Sequence, residues 1–123
     1  MTNEDLMRAY YAAYNADQDE QIAALLAEDV ILASPAGTRE GREAYLDTFR
    51  WMTEHFADTM IPTDISGDDD GATVAIENNL IAKQDVADFM GRSVAEGERI
   101  VLKLTGRYAI EASRITRITI EPA

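Results

Sequence analysis

The chain of 123 residues contains no cysteine. This absence excludes disulfide bonds, zinc sites built on thiolates and a cysteine nucleophile. Long apolar runs are also missing: the longest, at 22–27 and 30–33, are far shorter than the roughly 18 residues that a membrane-spanning helix needs. The first residues, 1–5, are acidic where a secretory signal would be basic and then apolar, so we expect a cytoplasmic protein.

Basic residues are scarce as well. Lys and Arg number 11 against 23 Asp and Glu, which gives a net charge of −12. Nucleic acids and anionic membrane surfaces need a basic footprint, so both are excluded as partners. With one His, and with Asp68–Asp70 lacking the spaced ligands of a calcium loop, we expect no metal and no cofactor. The length and the 46% hydrophobic content predict a single globular domain over 1–123.

Helical spacing of apolar residues predicts three helices in the first half of the chain. Thr2 and Asp5 form a capping-box-like start for a helix over 3–15. A second, shorter helix is expected from Asp19 to near Glu28. A third is expected over 41–57, because four large side chains recur there at i, i+4, i+7 and i+11: Tyr45, Phe49, Met52 and Phe56.

Strand-like alternation dominates the second half. A short strand at 30–33 is followed, after the third helix, by extended segments at 60–66, 73–85, 99–111 and 114–121. Residues 86–98 are expected to connect two of these strands. Ile115 is out of phase with Ile118 and Ile120, which predicts either a β-bulge in the last strand or burial on both of its faces there. Helices before a run of antiparallel strands indicate an α+β domain.

Three stretches add more specific information: Leu-Leu-Ala-Glu-Asp-Val at 25–30, Ser-Pro-Ala-Gly at 34–37 followed by Gly-Arg-Glu-Ala-Tyr at 41–45, and Gly-Arg-Tyr at 106–108 followed by Ile-Thr-Arg-Ile at 115–118. In this order, they resemble the NTF2-like superfamily, which includes SnoaL-like cyclases and ketosteroid isomerases. The resemblance covers essentially the whole chain. It implies a cone in which three N-terminal helices pack on a curved, mostly antiparallel sheet around an apolar pocket.

The resemblance also implies positions for an isomerase site, and most of them lack the required chemistry. The base of the ketosteroid isomerases corresponds to Ser34, and their donor carboxyl corresponds to Leu104 or Thr105. Only the tyrosine of the first helix has a counterpart, at Tyr10 or Tyr11. Because a hydroxyl with no adjacent base cannot take a carbon-bound proton, we expect no efficient ketosteroid isomerisation.

Other chemistries are equally incomplete. Epoxide hydrolases of this superfamily need an Arg and paired aspartates, whereas the corresponding strand offers Glu77, Asn78 and Asn79 and the final strand has no Asp. Glu77 is the carboxylate most able to replace the missing base, if it reaches the pocket.

Three residues remain as catalytic candidates: Tyr10, His55 and Asn78. Asn78 interrupts an apolar strand face, so its amide either faces a ligand or bonds a neighbour. His55 lies off the apolar stripe of its helix, which allows a place at the pocket mouth or a surface role. The residues expected to line the ligand pocket are Tyr14, Ser34, Trp51, Leu104 and Tyr108.

Two functions therefore stay open. The first is a SnoaL-like protein that acts on a small hydrophobic substrate as an isomerase, cyclase or hydrolase. The second is a non-catalytic module for ligand binding or dimerisation. Convergence of Tyr14, His55 and Asn78 would favour the enzyme, and a filled or apolar interior would favour the module. In both cases we expect a homodimer through the outer sheet face, which includes Ile81, Val101, Thr105 and Ala109.

Overall fold

A computed structural model describes all 123 residues. Three helices and eight strands follow one another along the chain: α1 (Asn3–Asn15), α2 (Asp19–Leu25), β1 (Leu26–Ser34), β2 (Gly37–Glu40), α3 (Arg42–His55), β3 (Phe56–Gly67), β4 (Gly71–Ala82), β5 (Val86–Phe89), β6 (Arg92–Val94), β7 (Arg99–Glu111) and β8 (Arg114–Pro122). No helix is long and apolar enough to cross a membrane.

Helix α1 has the predicted bounds and the predicted cap. The hydroxyl of Thr2 accepts a hydrogen bond from the backbone N–H of Asp5 at 3.1 Å, and the Asp5 carboxylate accepts from the backbone N–H of Thr2 at 3.4 Å. This reciprocal arrangement satisfies two backbone donors that have no partner within the helix. The hydrogen bonds from Thr2 lower the pKa of the Asp5 carboxyl. Three tyrosines of α1, Tyr10, Tyr11 and Tyr14, are buried against the sheet.

The other two helices end earlier than predicted. Helix α2 ends at Leu25 rather than near Glu28, because Leu26 pairs with Ile115 of β8 as part of a strand. Helix α3 ends at His55, and Phe56 begins β3 opposite Ala82. Phe56 is fully buried, as its apolar side chain requires, but it belongs to a strand. Pairing with a neighbouring strand therefore replaces the last helical turn in both cases.

Two hairpins went unpredicted. Strand β2 folds back on β1, and Gly37 opens it with φ of +124°, a backbone conformation that favours glycine. The segment 86–98 is not a plain connection, since it contains the β5–β6 hairpin with Met90 and Gly91 at its turn, both at positive φ. Both hairpins are short, and their sequences have too few alternating apolar residues to stand out.

Six strands form the main sheet in the order β2-β1-β8-β7-β4-β3. All neighbours are antiparallel except β1 and β8. The pairing of β7 with β8 shifts between Ala109 and Ile110, where Arg117 and Ile115 are the partners. Thr116 is therefore the extra residue, which confirms the predicted bulge. The resulting architecture, three helices on a curved and mostly antiparallel sheet, is the NTF2-like α+β fold that the sequence predicts.

The core consists of two apolar clusters on the inner face, which we define as the face of the sheet that packs against the helices. The larger cluster has 19 buried residues and joins α1, α2 and α3 to the sheet. The smaller has six, at the end covered by the β5–β6 hairpin: Phe56, Leu80, Ala82, Val86, Phe89 and Val94. Two buried polar residues, Asp58 on β3 and Asn78 on β4, belong to neither cluster. Along β4, Asn78 lies between Ile76 of the larger cluster and Leu80 of the smaller.

Candidate functional site

Asp58 is the centre of a buried polar group on the inner face. The Tyr14 hydroxyl donates a hydrogen bond to Asp58 Oδ2 at 2.7 Å, and Asn78 Nδ2 donates to Asp58 Oδ1 at 2.7 Å. Asn78 Nδ2 also donates to the backbone carbonyl of Thr59 at 3.1 Å. Asp58 and Asn78 are only 8% and 3% exposed. One donor from α1 and one from β4 therefore fix the orientation of a carboxyl on β3, and we call these three residues the Asp58 site.

The environment of Asp58 favours the protonated carboxyl. Burial raises its pKa above the ordinary value, and the hydrogen bonds from Tyr14 and Asn78 oppose that effect only in part. The negative charge of Asp17 raises the pKa further. Asp58 takes part in none of the ion pairs of the protein. A carboxyl without a cation in a desolvated place can hold its proton at a higher pH than a surface aspartate.

Four further phenol groups form two hydrogen-bonded pairs, and one of them, Tyr10, lies 6.1 Å from the Tyr14 ring, centroid to centroid. The hydroxyls of Tyr10 and Tyr45 are hydrogen-bonded to each other, and those of Tyr11 and Tyr108 are bonded at 2.6 Å. The Tyr10 ring lies 5.2 Å from the Tyr11 ring and 5.7 Å from the Tyr108 ring, centroid to centroid. Burial raises the pKa of all four phenols. They stay neutral at physiological pH and act as hydrogen-bonding groups, not as charges.

The inner face is incompletely covered next to the Asp58 site. Asn78 pairs with Leu102 of β7, and its neighbour Ile76 pairs with Leu104. Both leucines point to the inner face by the alternation of β7, yet both are only half-buried. Ile120 on β8 is half-buried in the same way. These three side chains leave apolar surface partly exposed on the sheet near Asn78, and we call this region the inner opening.

A larger depression lies along α3. This α3 cleft has a volume of about 760 Å³, within the range of sites for drug-sized ligands. It is formed by one side of α3, the turn after β1 and the tip of the β5–β6 hairpin. The residues that line it are Pro35, Ala36, Arg39, Ala44, Asp47, Thr48, Trp51, Met52, Asp88, Phe89 and Met90.

The structure places the predicted pocket residues in different environments. Tyr14 lies in the Asp58 site, whereas Tyr108 is hydrogen-bonded to Tyr11, outside that site. Leu104 borders the inner opening, whereas Trp51 lines the α3 cleft. The hydroxyl of Ser34 accepts from the backbone N–H of Ala36 at 3.3 Å and donates to the carbonyl of Gly37 at 3.4 Å. Ser34 is thus engaged in the turn after β1.

The three catalytic candidates separate in the same way. Asn78 is part of the Asp58 site, and Tyr10 is bonded to Tyr45 beside it. His55 is not brought together with them. Its ring stacks on Trp51 at 4.2 Å between centroids, and its Nδ1–H donates to the Trp51 carbonyl at 2.7 Å. Of the three groups whose convergence would favour an enzyme, Tyr14 and Asn78 meet at one carboxyl, and His55 does not.

Asp58 itself is absent from the sequence-based candidates. The signal that could have found it is the alternation of Phe56, Asp58 and Met60, which share one face of β3. It is visible only if the strand starts at Phe56, whereas helical spacing assigned that residue to α3. Glu77, which could replace the base only if it reached the pocket, points to the outer face and is paired with Lys103, whose hydrogen bond lowers the pKa of Glu77.

Comparison with known proteins agrees with this fold. The SnoaL-like domain family matches residues 7–118, and the chain belongs to that family. A candidate polyketide cyclase from Pseudomonas putida is 29% identical with a TM-score of 0.81, over 100% of this chain and 92% of that one. IdmH, a candidate polyketide cyclase from Streptomyces antibioticus, is 19% identical with a TM-score of 0.81, over 98% and 91%.

An NTF2-like protein of unknown function from Burkholderia pseudomallei has a TM-score of 0.80 at 20% identity, over 100% of this chain and 92% of that one. Similarities at this level of identity show the shared fold alone. A search of curated proteins finds no match to the sequence.

Proposed function

We propose that this protein is an enzyme that binds a small hydrophobic molecule at the inner opening and transfers a proton through Asp58. The observation that carries the proposal is the convergence of Tyr14 and Asn78 on one buried carboxyl. A carboxyl that is desolvated and held by two donors is the arrangement that general acid–base catalysis uses. The remaining Asp58 lone pairs, or the proton of the neutral acid, are the groups available to a substrate.

Each residue of the site has a distinct part in this proposal. Asp58 is the proton donor or acceptor, and its raised pKa brings it closer to the pH at which such groups work best. Tyr14 and Asn78 are positioning residues, because they hold the two carboxyl oxygens and limit rotation of the side chain. The half-buried Leu102 and Leu104 provide an apolar surface for the substrate and exclude water from part of it.

The substrate class follows from the same surroundings. Apolar side chains around one carboxyl favour a hydrophobic carbonyl compound, whose α-proton or carbonyl oxygen is the group that exchanges a proton. The Pseudomonas putida neighbour that is described as a candidate polyketide cyclase supports a substrate of this kind. Isomerisation and cyclisation of such compounds both proceed through an enol or enolate, for which Asp58 is suitable.

One observation favours a second candidate function, a ligand-binding module without catalysis. Both oxygens of Asp58 already accept a hydrogen bond, and the tyrosine rings fill the interior beside it. In that case the polar group would serve the packing of α1 on the sheet, and the inner opening would only hold a ligand.

Hydrogen–deuterium exchange of a ketone distinguishes the two functions. With 2-tetralone in D₂O, we expect the wild type to accelerate exchange of the α-protons, measured by NMR. Asp58→Asn should lose roughly 10²–10⁴-fold of that acceleration, the usual contribution of a general base. Glu77→Gln is the matched control, since it removes a carboxylate on the outer face and should leave the rate unchanged.

Equal exchange rates for the wild type and Asp58→Asn would contradict the proposal. If calorimetry shows tetralone bound under those conditions, the non-catalytic module is the better description. Loss of exchange in Glu77→Gln would instead assign the base to the outer face. The same measurements apply to a β,γ-unsaturated ketosteroid, for which we expect no efficient turnover because neither Ser34 nor Leu104 or Thr105, the counterparts of the isomerase base and donor, carries a carboxyl.

A further inference from the structure

The α3 cleft contains none of the residues of the Asp58 site, and its chemistry differs. We infer that this cleft binds a hydrophobic amine in its cationic form. The inference goes beyond the acid–base function proposed for Asp58 and does not depend on it.

The apolar side chains of the cleft can pack around a compact hydrophobic group. Trp51, Met52, Phe89 and Met90 contribute large apolar side chains. Trp51 is 39% exposed and Met90 60% exposed, which is unusual for side chains of this size in a domain with a well-packed core. His55 covers one side of the indole and holds it in place. The indole surface that remains is available to a ligand and can also attract a cation.

Two carboxylates from different elements face the same space. Asp47 is on α3, one helical turn before Trp51, and Asp88 is on β5 next to Phe89. The Asp47 side chain is 77% exposed, and its only ion pair, with Arg50, is long at 3.6 Å. Arg50 is held more closely by Asp19, at 3.1 Å. Asp47 therefore keeps most of its capacity to accept hydrogen bonds from an ammonium group.

Asp88 is available in a similar way. One of its oxygens accepts from the backbone N–H of Gly91 at 3.1 Å, which closes the turn of the β5–β6 hairpin. Asp88 takes part in no ion pair, so its second oxygen and its charge are unused. A hairpin that fixes the carboxylate without neutralising it provides an oriented acceptor for a cation.

The net charge of the whole protein is negative, like the charges of Asp47 and Asp88. A net charge of −12 raises the local concentration of cationic molecules and lowers that of anions. Arg39 is the one cationic residue that lines the cleft, and it opposes a cation. Among the lining residues, two carboxylates against one guanidinium leave an excess of one negative charge. Arg50, which contacts Asp47 at 3.6 Å, does not line the cleft and is held more closely by Asp19, so we expect an amine to bind better than an acid.

The single tryptophan provides a direct assay. Trp51 is the only Trp in the chain, so its fluorescence reports occupancy of the cleft. The probes are 1-adamantylmethylamine, 1-adamantanemethanol and 1-adamantanecarboxylate, which share one apolar cage and differ in charge. We expect the amine to change the emission at the lowest concentration, the alcohol next and the carboxylate last.

Single substitutions distinguish the effect of contacts within the cleft from the effect of the net charge of the protein. Asp47→Asn and Asp88→Asn should each weaken amine binding roughly two- to five-fold, the range for exposed ion pairs, and leave the alcohol unaffected. Asp29→Asn removes an equal charge from an exposed site outside the cleft and should change nothing. Arg39→Gln should strengthen amine binding.

Three results would overturn the inference. These are an alcohol or carboxylate that binds as tightly as the amine, a Trp51 emission that none of the probes changes, and a loss in Asp29→Asn as large as that in Asp88→Asn. None of them would alter the exchange experiment at Asp58, so failure here and failure of the proposed enzyme function can be told apart.

Discussion

The hydrogen bond between Tyr11 and Tyr108 offers a quantitative test of how the polar interior is held. Both hydroxyls are buried, and their oxygens are 2.6 Å apart. In Tyr11→Phe, or in Tyr108→Phe, the remaining hydroxyl stays buried without its partner. A buried polar group left in this state costs about 1–3 kcal/mol. For a chain of this length, a loss of 1 kcal/mol corresponds to a Tm lower by roughly 3–6 °C.

The double variant should behave differently. Replacing both tyrosines by phenylalanine removes the donor and the acceptor together, and such a pair of changes can be nearly neutral. We therefore expect its cost to be smaller than the sum of the two single costs by about 1–2 kcal/mol. Urea unfolding followed by circular dichroism gives the free energies, provided that the slope with denaturant is the same for all variants.

A matched pair of tyrosines serves as the control. Tyr11 and Tyr45 are both buried, but each is bonded to a different partner. Both contact Tyr10, but they share no hydrogen bond, so the effects of Tyr11→Phe and Tyr45→Phe should depart from additivity by less than those of Tyr11→Phe and Tyr108→Phe. If the costs of Tyr11→Phe and Tyr108→Phe add, the two hydroxyls do not depend on each other and the reasoning is refuted.

Four other predictions follow from burial and charge. The pKa of Asp58 is raised in the folded state. The unfolding free energy of the wild type, relative to that of Asp58→Asn, should therefore fall as the pH rises from about 4 through the folded pKa. Urea titrations at several pH values measure this difference, and the opposite slope would disprove the prediction. Gly106→Ala should destabilise by about 1–3 kcal/mol, since a Cβ there would lie 2.8 Å from Tyr108 Cε2, and an unchanged Tm would contradict this close packing. Val101, which is 46% exposed on the outer face, should support a homodimer that Val101→Lys dissociates; sedimentation that shows only wild-type monomer at micromolar concentration would exclude it. Raising the salt from about 0.01 M to about 0.1 M should raise the Tm, because the screening length falls from about 30 Å to about 10 Å; a Tm that stays constant or falls would show that specific ion pairs outweigh the net charge.

Local chemistry determined much of the fold directly from the sequence. The bounds of α1 follow from the capping box at Thr2 and from helical spacing, and those of β7 follow from strict alternation over 99–111. The bulge next to Thr116 follows from one isoleucine out of phase. These features depend on residues near one another in the chain, which is why they can be predicted without a structure.

The order of the motifs was equally informative about the family. The stretches at 25–30, 34–45 and 106–118 led to the NTF2-like superfamily, and the match to the SnoaL-like domain family over 7–118 agrees with them. The sequence also marks Asn78 as a group that needs a partner, because a buried amide is costly alone. It does not identify that partner.

Tertiary contacts decided the remaining features. Leu26 and Phe56 could extend their helices by periodicity, but pairing with Ile115 and Ala82 makes both residues part of strands. Because β3 begins at Phe56, Asp58 lies on the inner face. There it accepts hydrogen bonds from Tyr14 of α1 and Asn78 of β4, which are 44 and 20 residues away in the sequence. Such contacts depend on how distant segments pack, and no local pattern encodes them. The sequence by itself determined the fold and the need for buried polar partners, while only the tertiary structure decided that a carboxyl unites them.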